Sequence, residues 1–119
     1  MEVKHYEGNG RLSLATEWNG LLKFTGRTCM PAGPGIEEQV RGVLRIIDEE
    51  LAKHNSDKEH ILFVQVFLKD VIRDFDTLNR IWEEWVVPGH EPARATVQAK
   101  MAKEEALVEM VVTAVRRDA

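Results

Sequence analysis

Alternating and helical patterns of apolar residues divide the chain into predicted strands and helices. Leu12 and Leu14 occupy alternate positions in the first stretch, and a second apolar stretch covers residues 21–25. A strand presents alternate residues to one face, and the Asn19-Gly20 pair between the two stretches is a strong signal for a two-residue turn. This pattern predicts a β-hairpin.

Two longer segments carry apolar residues at helical spacing. The first begins at Ile36 and continues to about residue 54, with Glu37 and Glu38 in a first turn where the helix dipole favours negative charge. The second is capped by Asp74 and ends before the Pro-Gly pair at 88–89. The apolar positions are 36, 40, 43, 44, 47 and 51 in the first predicted helix and 75, 78, 81, 82 and 85 in the second.

The second half of the chain contains three further predicted strands. Residues 61–68, ILFVQVFL, are apolar at both parities, which is typical of a central strand covered on both faces. Residues 93–101 alternate strictly, with Arg94 and Thr96 on one face, and residues 107–115 form the last strand. A polar turn at 102–106 would join these two strands as a hairpin, with Glu109 opposite Ala99.

The order of these elements predicts the fold class. Strand, strand, helix, strand, helix, strand, strand is expected to form an α+β fold whose sheet is mostly antiparallel, with both helices on one face. The Pro- and Gly-rich segment 29–35 is expected to be a loop. A length of 119 residues corresponds to about one domain, so residues 1–119 are expected to fold as a single domain.

Charge and composition argue against several classes of function. Sixteen Lys and Arg against twenty Asp and Glu leave a net charge of −4, without the basic excess that nucleic acid or an anionic membrane requires. No apolar run approaches the roughly 18 residues of a membrane span. The first ten residues lack the apolar core of a signal peptide, and the single cysteine, Cys29, precludes an intrachain disulfide. These features favour a cytoplasmic protein.

The sequence contains no recognisable pattern for a metal or a cofactor. The four histidines are scattered and lack a second histidine four residues away or cysteine partners. Gly8-Asn9-Gly10 lacks the third glycine of a dinucleotide fingerprint and indicates a turn. Cys29 has no histidine at a recognisable motif spacing and is expected to be structural. We expect no metal and no cofactor.

Two charged residues on the last predicted strands are candidates for chemistry. Arg94 offers a planar fork that matches a carboxylate, although a surface ion pair would also explain it. Glu109 has apolar neighbours on both sides, and burying an unpaired carboxylate is costly. Burial would raise the pKa of the Glu109 carboxyl and suit it to proton transfer. Spacing alone leaves a functional and a structural interpretation of Glu109 equally open.

The predicted hairpin separates these two residues. Glu109 lies about five residues from Arg94 along the pairing, which corresponds to roughly 16 Å. One chain therefore cannot bring both side chains to one small ligand. Arg94 of one subunit could face Glu109 of the next around a closed ring, which predicts an oligomer with sites in the clefts between subunits.

Several segments together resemble a known family. They are Thr25-Gly26 after a strand, the helix that contains Gln39, and the runs LFVQVFLKD, DFDTLNRIWEEW, EPARATVQAKM and ALVEMVVTAVRR. From about Gly10 onward the chain resembles the Rid family (YjgF-type), the reactive-intermediate imine and enamine deaminases. The resemblance implies a chorismate-mutase-like α+β fold, related to ferredoxin-like folds, and a homotrimer with three interfacial clefts.

The resemblance also implies roles for individual residues. Arg94 falls at the family's arginine that grips a substrate carboxylate. Glu109 falls at its acidic residue that positions the attacking water. The remaining matched pocket positions, implied to contact substrate, are Gly26, Thr25, Thr96 and Asn79.

Three positions differ from the family pattern. Leu12 stands where deaminating members carry a pocket tyrosine, Thr96 where a cysteine is common, and Arg27 where a glutamine usually follows the glycine. Arg27 is either a second contact for an anion or a member of an interface ion pair. Trp82 and Trp85 are expected to be packing residues.

The implied function is hydrolytic deamination of small 2-imino or enamino acids to 2-keto acids and ammonia. One alternative is a non-catalytic protein of the same fold that binds a keto acid or another carboxylate, which Leu12 favours. A weaker alternative is RNA cleavage or inhibition of translation, which the charge of −4 disfavours. The expected partner is a small carboxylate-bearing imine or keto acid, with no nucleic acid or membrane partner.

Overall fold

The computed structural model describes residues 2–119 and arranges them as one mixed sheet with helices. Within this range the strands are β1 Lys4–Gly8, β2 Ser13–Trp18, β3 Leu21–Phe24, β4 Ile61–Leu68, β5 Ala93–Gln98 and β6 Val108–Val115. The helices are α1 Ile36–Lys53 and α2 Val71–Trp85, accompanied by short 3₁₀ turns at Met30–Ala32 and Lys58–His60. The predicted α+β class is therefore confirmed.

The strands follow the order β1-β2-β3-β6-β4-β5 across the sheet. Every neighbouring pair is antiparallel except β4 and β5, which run parallel. Parallel neighbours need a crossover connection, and α2 supplies it between β4 and β5. The predicted antiparallel-rich sheet is confirmed, and the Asn19-Gly20 turn has the positive φ angles, 53° and 84°, that a tight hairpin requires.

Both helices pack against the same face of the sheet, as predicted. Their apolar stripes meet the inward residues of β3, β4 and β6, and this contact forms the core. Burial of these apolar side chains is the dominant favourable contribution to folding. The core includes Val40, Val43, Leu44, Ile47 and Leu51 from α1, Leu78, Ile81 and Trp82 from α2, and Val64, Val66, Leu68, Val108, Met110 and Val112 from the sheet.

The predicted hairpin between the last two strands is wrong. β5 and β6 do not pair, because β4 lies between them and bonds to both. The apolar strand β4 provides a buried pairing partner for both β5 and β6. The segment 99–107, which connects β5 to β6, crosses the end of β4. Backbone bonds from Ala99 to Leu68 and from Lys69 to Leu107 hold this crossing.

The start of α2 and the presence of an additional strand also differ from the prediction. α2 begins at Val71, because the side chain of Asp70 accepts a bond from the Arg73 amide and caps the helix. Asp74, the predicted cap, lies inside the helix, is 2% exposed and is bound by the Arg73 guanidinium. Strand β1 was not predicted, because its polar residues carry no alternation; backbone pairing with β2 holds it at the sheet edge.

The face of the sheet opposite the helices is open within this chain. Phe63 is 36% exposed and Val97 is 46% exposed, so the expectation that β4 is covered on both faces holds only for the helix side. No helix in the described part, residues 2–119, is long and apolar enough to cross a membrane.

The side chain of Gln39, on α1, is fully buried and connects two loops. Its Nε2 donates to the carbonyl oxygens of Gly33 and Glu105, and its Oε1 accepts from the Leu107 amide. Because each partner is a backbone group that otherwise lacks a bond, the side chain fixes both the loop after β3 and the start of β6.

Replacing Gln39 with Leu is expected to lower the free energy of unfolding by about 3 kcal/mol, because it leaves three backbone groups without partners. Urea denaturation at fixed protein concentration measures this change. Glu49→Ala, at an exposed position of the same helix, is the control and should cost less than about 0.5 kcal/mol. A loss below about 1 kcal/mol for Gln39→Leu would contradict this role.

Candidate functional site

Arg94 lies on β5 with its side chain on the helix face of the sheet. It pairs with Val64, which is fully buried beneath the helices. The Arg94 Nη2 donates to Oδ1 of Asn79 at 2.6 Å. The guanidinium carbon is 5.1 Å from the ring centroid of Trp82 and 6.0 Å from that of Phe75. An amide oxygen and two aromatic rings therefore hold this cation in place.

The sequence of α2 explains this arrangement. Phe75, Asn79 and Trp82 are four and three residues apart, so they form one stripe along the helix, and that stripe faces β5. Burial lowers the pKa of Arg94, an effect that the nearby Glu83 carboxylate opposes. A guanidinium has five N–H donors, and Asn79 occupies one of them. Arg94 keeps donors for a carboxylate ligand.

Glu109 lies on the opposite face of the sheet. It pairs with Phe67 on β4, and its side chain is half-buried on the open face. Gly26 is directly beside it, because a Cβ on Gly26 would lie 3.0 Å from Cδ of Glu109 and closer still to Oε2. Reciprocal backbone bonds between Arg27 and Met110 hold Gly26 at this distance. A side chain at position 26 would displace the Glu109 carboxylate, so glycine lets this carboxylate lie against the backbone.

The remaining matched residues lie near one or other of these two positions. Thr96 follows Arg94 on the helix face, and its buried hydroxyl has no hydrogen-bond partner within residues 2–119. Thr25 precedes Gly26 and lines a small cavity of about 10 Å³ beneath α1, together with Glu50 and Val112. Asn79 contacts Arg94 directly, so its first role is to position that guanidinium.

Arg94 and Glu109 do not meet within one chain. Two strand spacings and three residues along the strand separate them, which places their Cα atoms roughly 14 Å apart. They also point to opposite faces of the sheet. The predicted separation rested on a pairing that is wrong, and the observed register gives a similar distance for a different reason. β5 is an edge strand, so a neighbouring molecule can reach Arg94 from its open side.

Of the positions that depart from the family pattern, Leu12 and Arg27 lie away from Arg94 and Glu109. Leu12 is 44% exposed, just before β2. Arg27 forms an ion pair with Glu50 of α1 at 3.6 Å, so its side chain points to the helix side, away from Glu109. The Arg27–Glu50 ion pair lies within one chain. It is therefore neither the contact with an anion nor the interface ion pair that the sequence suggested for Arg27. Cys29 is buried, and its Sγ packs against Gly42, in keeping with a structural role.

Sequence reasoning missed two features. It treated Trp82 as a packing residue, whereas the ring also lies against Arg94; the helical spacing of Trp82 from Asn79 is the signal that could have indicated this. It also missed the cluster of Glu7, Glu50 and His54, because it looked for histidine pairs and not for a glutamate one turn before a histidine.

The mixed six-stranded sheet with two helices on one face defines the class of protein, an α+β fold of the YjgF type. A crystal structure of a YjgF family member from Neisseria meningitidis superposes with a TM-score of 0.94 at 39% identity, covering 100% of this chain and 98% of that one. The family described as Endoribonuclease L-PSP matches residues 4–116.

Proteins from other bacteria are similar to this chain in sequence over nearly its whole length. A RutC family protein of Haemophilus ducreyi is 38% identical over 112 residues, which cover 94% of this chain and 95% of that protein. The RutC family protein YoaB of Escherichia coli K12 is 34% identical over 116 residues, covering 96% and 98%. The chain belongs to the Endoribonuclease L-PSP family, which includes the YjgF and RutC proteins, and the predicted Rid-type membership is confirmed.

Proposed function

We propose that this protein hydrolyses small 2-imino or enamino acids to 2-keto acids and ammonia. The observation that carries the proposal is the Arg94 guanidinium, which Asn79 and Trp82 hold at an open sheet edge with donors to spare. A rigid guanidinium fork binds a carboxylate through two parallel hydrogen bonds. This is the group that every 2-imino acid and its keto-acid product share.

The catalytic cleft forms between two subunits of a homotrimer. Arg94 of one subunit holds the substrate carboxylate, and Glu109 of the next positions a water molecule at the imine carbon. The opposite orientation of these side chains within one chain supports this arrangement. The open edge of β5 and the exposed apolar side chains of Phe63 and Val97 supply surface for such contacts.

The reaction needs one water and no external oxidant. Water adds to the C=N carbon to give a carbinolamine, Glu109 takes up a proton from the water, and that proton then goes to nitrogen. The proton of the new hydroxyl group then passes to the nitrogen through Glu109, the C–N bond breaks, ammonia leaves and the keto group forms. The backbone amide of Gly26 provides an oriented dipole for the charge that develops as the water adds. Holding the carboxylate in one pose supplies much of the rate.

The assay that tests the proposal follows ammonia or keto-acid release. A 2-imino acid such as 2-iminobutanoate is generated in situ by an amine-eliminating enzyme, and its rate of hydrolysis is measured with and without this protein. The pH of the assay is near neutral, because we propose that the protein is cytoplasmic. Hydrolysis faster than the uncatalysed rate supports the proposal. Binding of 2-ketobutyrate without any acceleration supports the second candidate, a non-catalytic carboxylate-binding protein, which Leu12 favours because it offers no hydroxyl at the pocket tyrosine position.

Asn79→Ala is expected to raise KM for the imino acid about tenfold, because the Arg94 guanidinium loses its fixed acceptor and samples other orientations. Steady-state kinetics measure KM and kcat separately. Asp76→Ala, an exposed change on the same helix, is the control. An unchanged KM in Asn79→Ala would contradict the positioning role.

A further inference from the structure

Two buried polar side chains at the end of α1 have atoms without hydrogen-bond partners. Glu50 and His54 are each 7% exposed, yet Oε2 of Glu50 and Nε2 of His54 bond to no atom of residues 2–119. Buried polar atoms are nearly always paired, because leaving one unpaired costs free energy. Two such atoms one helical turn apart indicate that something else pairs them.

A third donor lies beside these two. Glu7 of β1 has a backbone φ of 54°, in the left-handed region that non-glycine residues seldom occupy, and its carboxylate approaches Glu50 and His54. One ligating atom from each of the three side chains lies within 4.8 Å of the others. The His54 ring is held edge-on between Tyr6 and Phe24, with centroid distances of 4.6 and 5.6 Å. The imidazole is therefore fixed in place.

We propose that Glu7, Glu50 and His54 bind a divalent transition-metal ion of the zinc type. One imidazole nitrogen and two carboxylates are a donor set that suits zinc, whereas magnesium and calcium prefer oxygen alone. Zinc bonds of about 2.0–2.2 Å need donors closer together than the 4.8 Å that limits their separation here. The half-exposed Glu7 side chain can close this gap, since it reaches the site from solvent.

Two neighbouring cations oppose metal binding at this cluster. Lys53 Nζ lies 3.6 Å from Oε1 of Glu50 and 3.9 Å from Oε1 of Glu7, and Arg27 lies 3.6 Å from the same Glu50 oxygen. The Lys53 side chain is 53% exposed, so it can turn into solvent when a metal enters. Arg27 approaches Oε1 and leaves Oε2 of Glu50 for the ion. Lys53 thus competes with the metal for the two carboxylates.

The metal would join two parts of the fold that are weakly connected. β1 is an edge strand that pairs only with β2 among the described strands, and Tyr6 and Glu7 are the residues that connect it to the end of α1. A ligand that binds only the folded state raises its stability. The ion therefore connects β1 to the end of α1. This site lies in a different part of the molecule from Arg94 and Glu109.

Titration of the metal-free protein with zinc chloride tests this proposal. Calorimetry and thermal unfolding should show one zinc per chain with a dissociation constant in the micromolar range and a rise in Tm, while magnesium has no effect. Glu7→Gln, at an exposed position that should not impair folding, is expected to weaken zinc binding at least tenfold. Lys53→Met should strengthen it about fivefold, and Glu49→Gln, an exposed acid on the same helix, should change nothing.

The Lys53 variant separates a metal site from an ion-pair network. A network without a metal would lose stability in Lys53→Met and gain no zinc affinity. Absence of saturable zinc binding in both the wild type and Lys53→Met would overturn the proposal. Zinc binding by Glu7→Gln equal to that of the wild type would also overturn it, because the ion would then bind at other histidines.

Discussion

Arg94→Ala is expected to lower kcat/KM for 2-imino acid hydrolysis by on the order of 10³-fold, because the substrate carboxylate loses its charged, planar partner and its fixed pose. Release of ammonia or keto acid, measured with an imine generated in situ, provides the readout. Arg94→Lys should recover only part of the loss, since an ammonium cannot form the two parallel hydrogen bonds of a guanidinium.

Controls make this result specific to the site. Arg80→Ala removes an exposed arginine of α2, which pairs with Glu37 on α1, and should leave hydrolysis unchanged. Light scattering should show the same oligomer for Arg94→Ala and the wild type. Retention of more than half of the activity by Arg94→Ala would refute the assignment of Arg94 as the carboxylate-binding residue.

Glu109→Gln is expected to reduce kcat by about 10²- to 10³-fold with little change in KM, because the amide keeps the packing against Gly26 but accepts no proton. Subunit mixing then tests where the sites lie. When Arg94→Ala and Glu109→Gln chains are co-refolded in equal amounts, a cleft between subunits is intact when its arginine comes from a Glu109→Gln chain and its glutamate from an Arg94→Ala chain.

Random assembly of trimers gives about a quarter of the clefts in this intact form. Activity should therefore return to roughly a quarter of the wild-type value, although each variant alone is nearly inactive. A site contained within one chain would give no recovery at any mixing ratio. Refolding each variant by itself is the control, and a monomer in solution would also contradict shared sites.

The secondary structure was largely predictable, because its signals are local. The helical spacing from Ile36 correctly placed α1, and Asn19-Gly20 correctly placed the β2–β3 turn. β1 escaped prediction because an edge strand held by backbone bonds needs no apolar alternation. The start of α2 was misplaced because Asp70 and Asp74 are both capable caps, and only the fold shows which one bonds to a free amide.

For the candidate site, too, the sequence indicated the residues but not their contacts. Arg94 and Glu109 stand out in the sequence by residue type and by the family resemblance. Their environments do not: the contacts of Arg94 with Asn79 and Trp82 depend on α2 crossing over β5, and the contact of Glu109 with Gly26 depends on β3 lying next to β6. Such contacts join residues far apart in the chain.

The sequence by itself therefore determined the family, the α+β class and the two charged residues on which the proposed chemistry rests, because periodicity and motifs are properties of neighbouring positions. Only the tertiary structure decided that β4 lies between β5 and β6. That single placement separates β5 from β6 and leaves Arg94 on an edge strand. Strand order depends on which buried surfaces fit together, and several orders are compatible with the same local pattern.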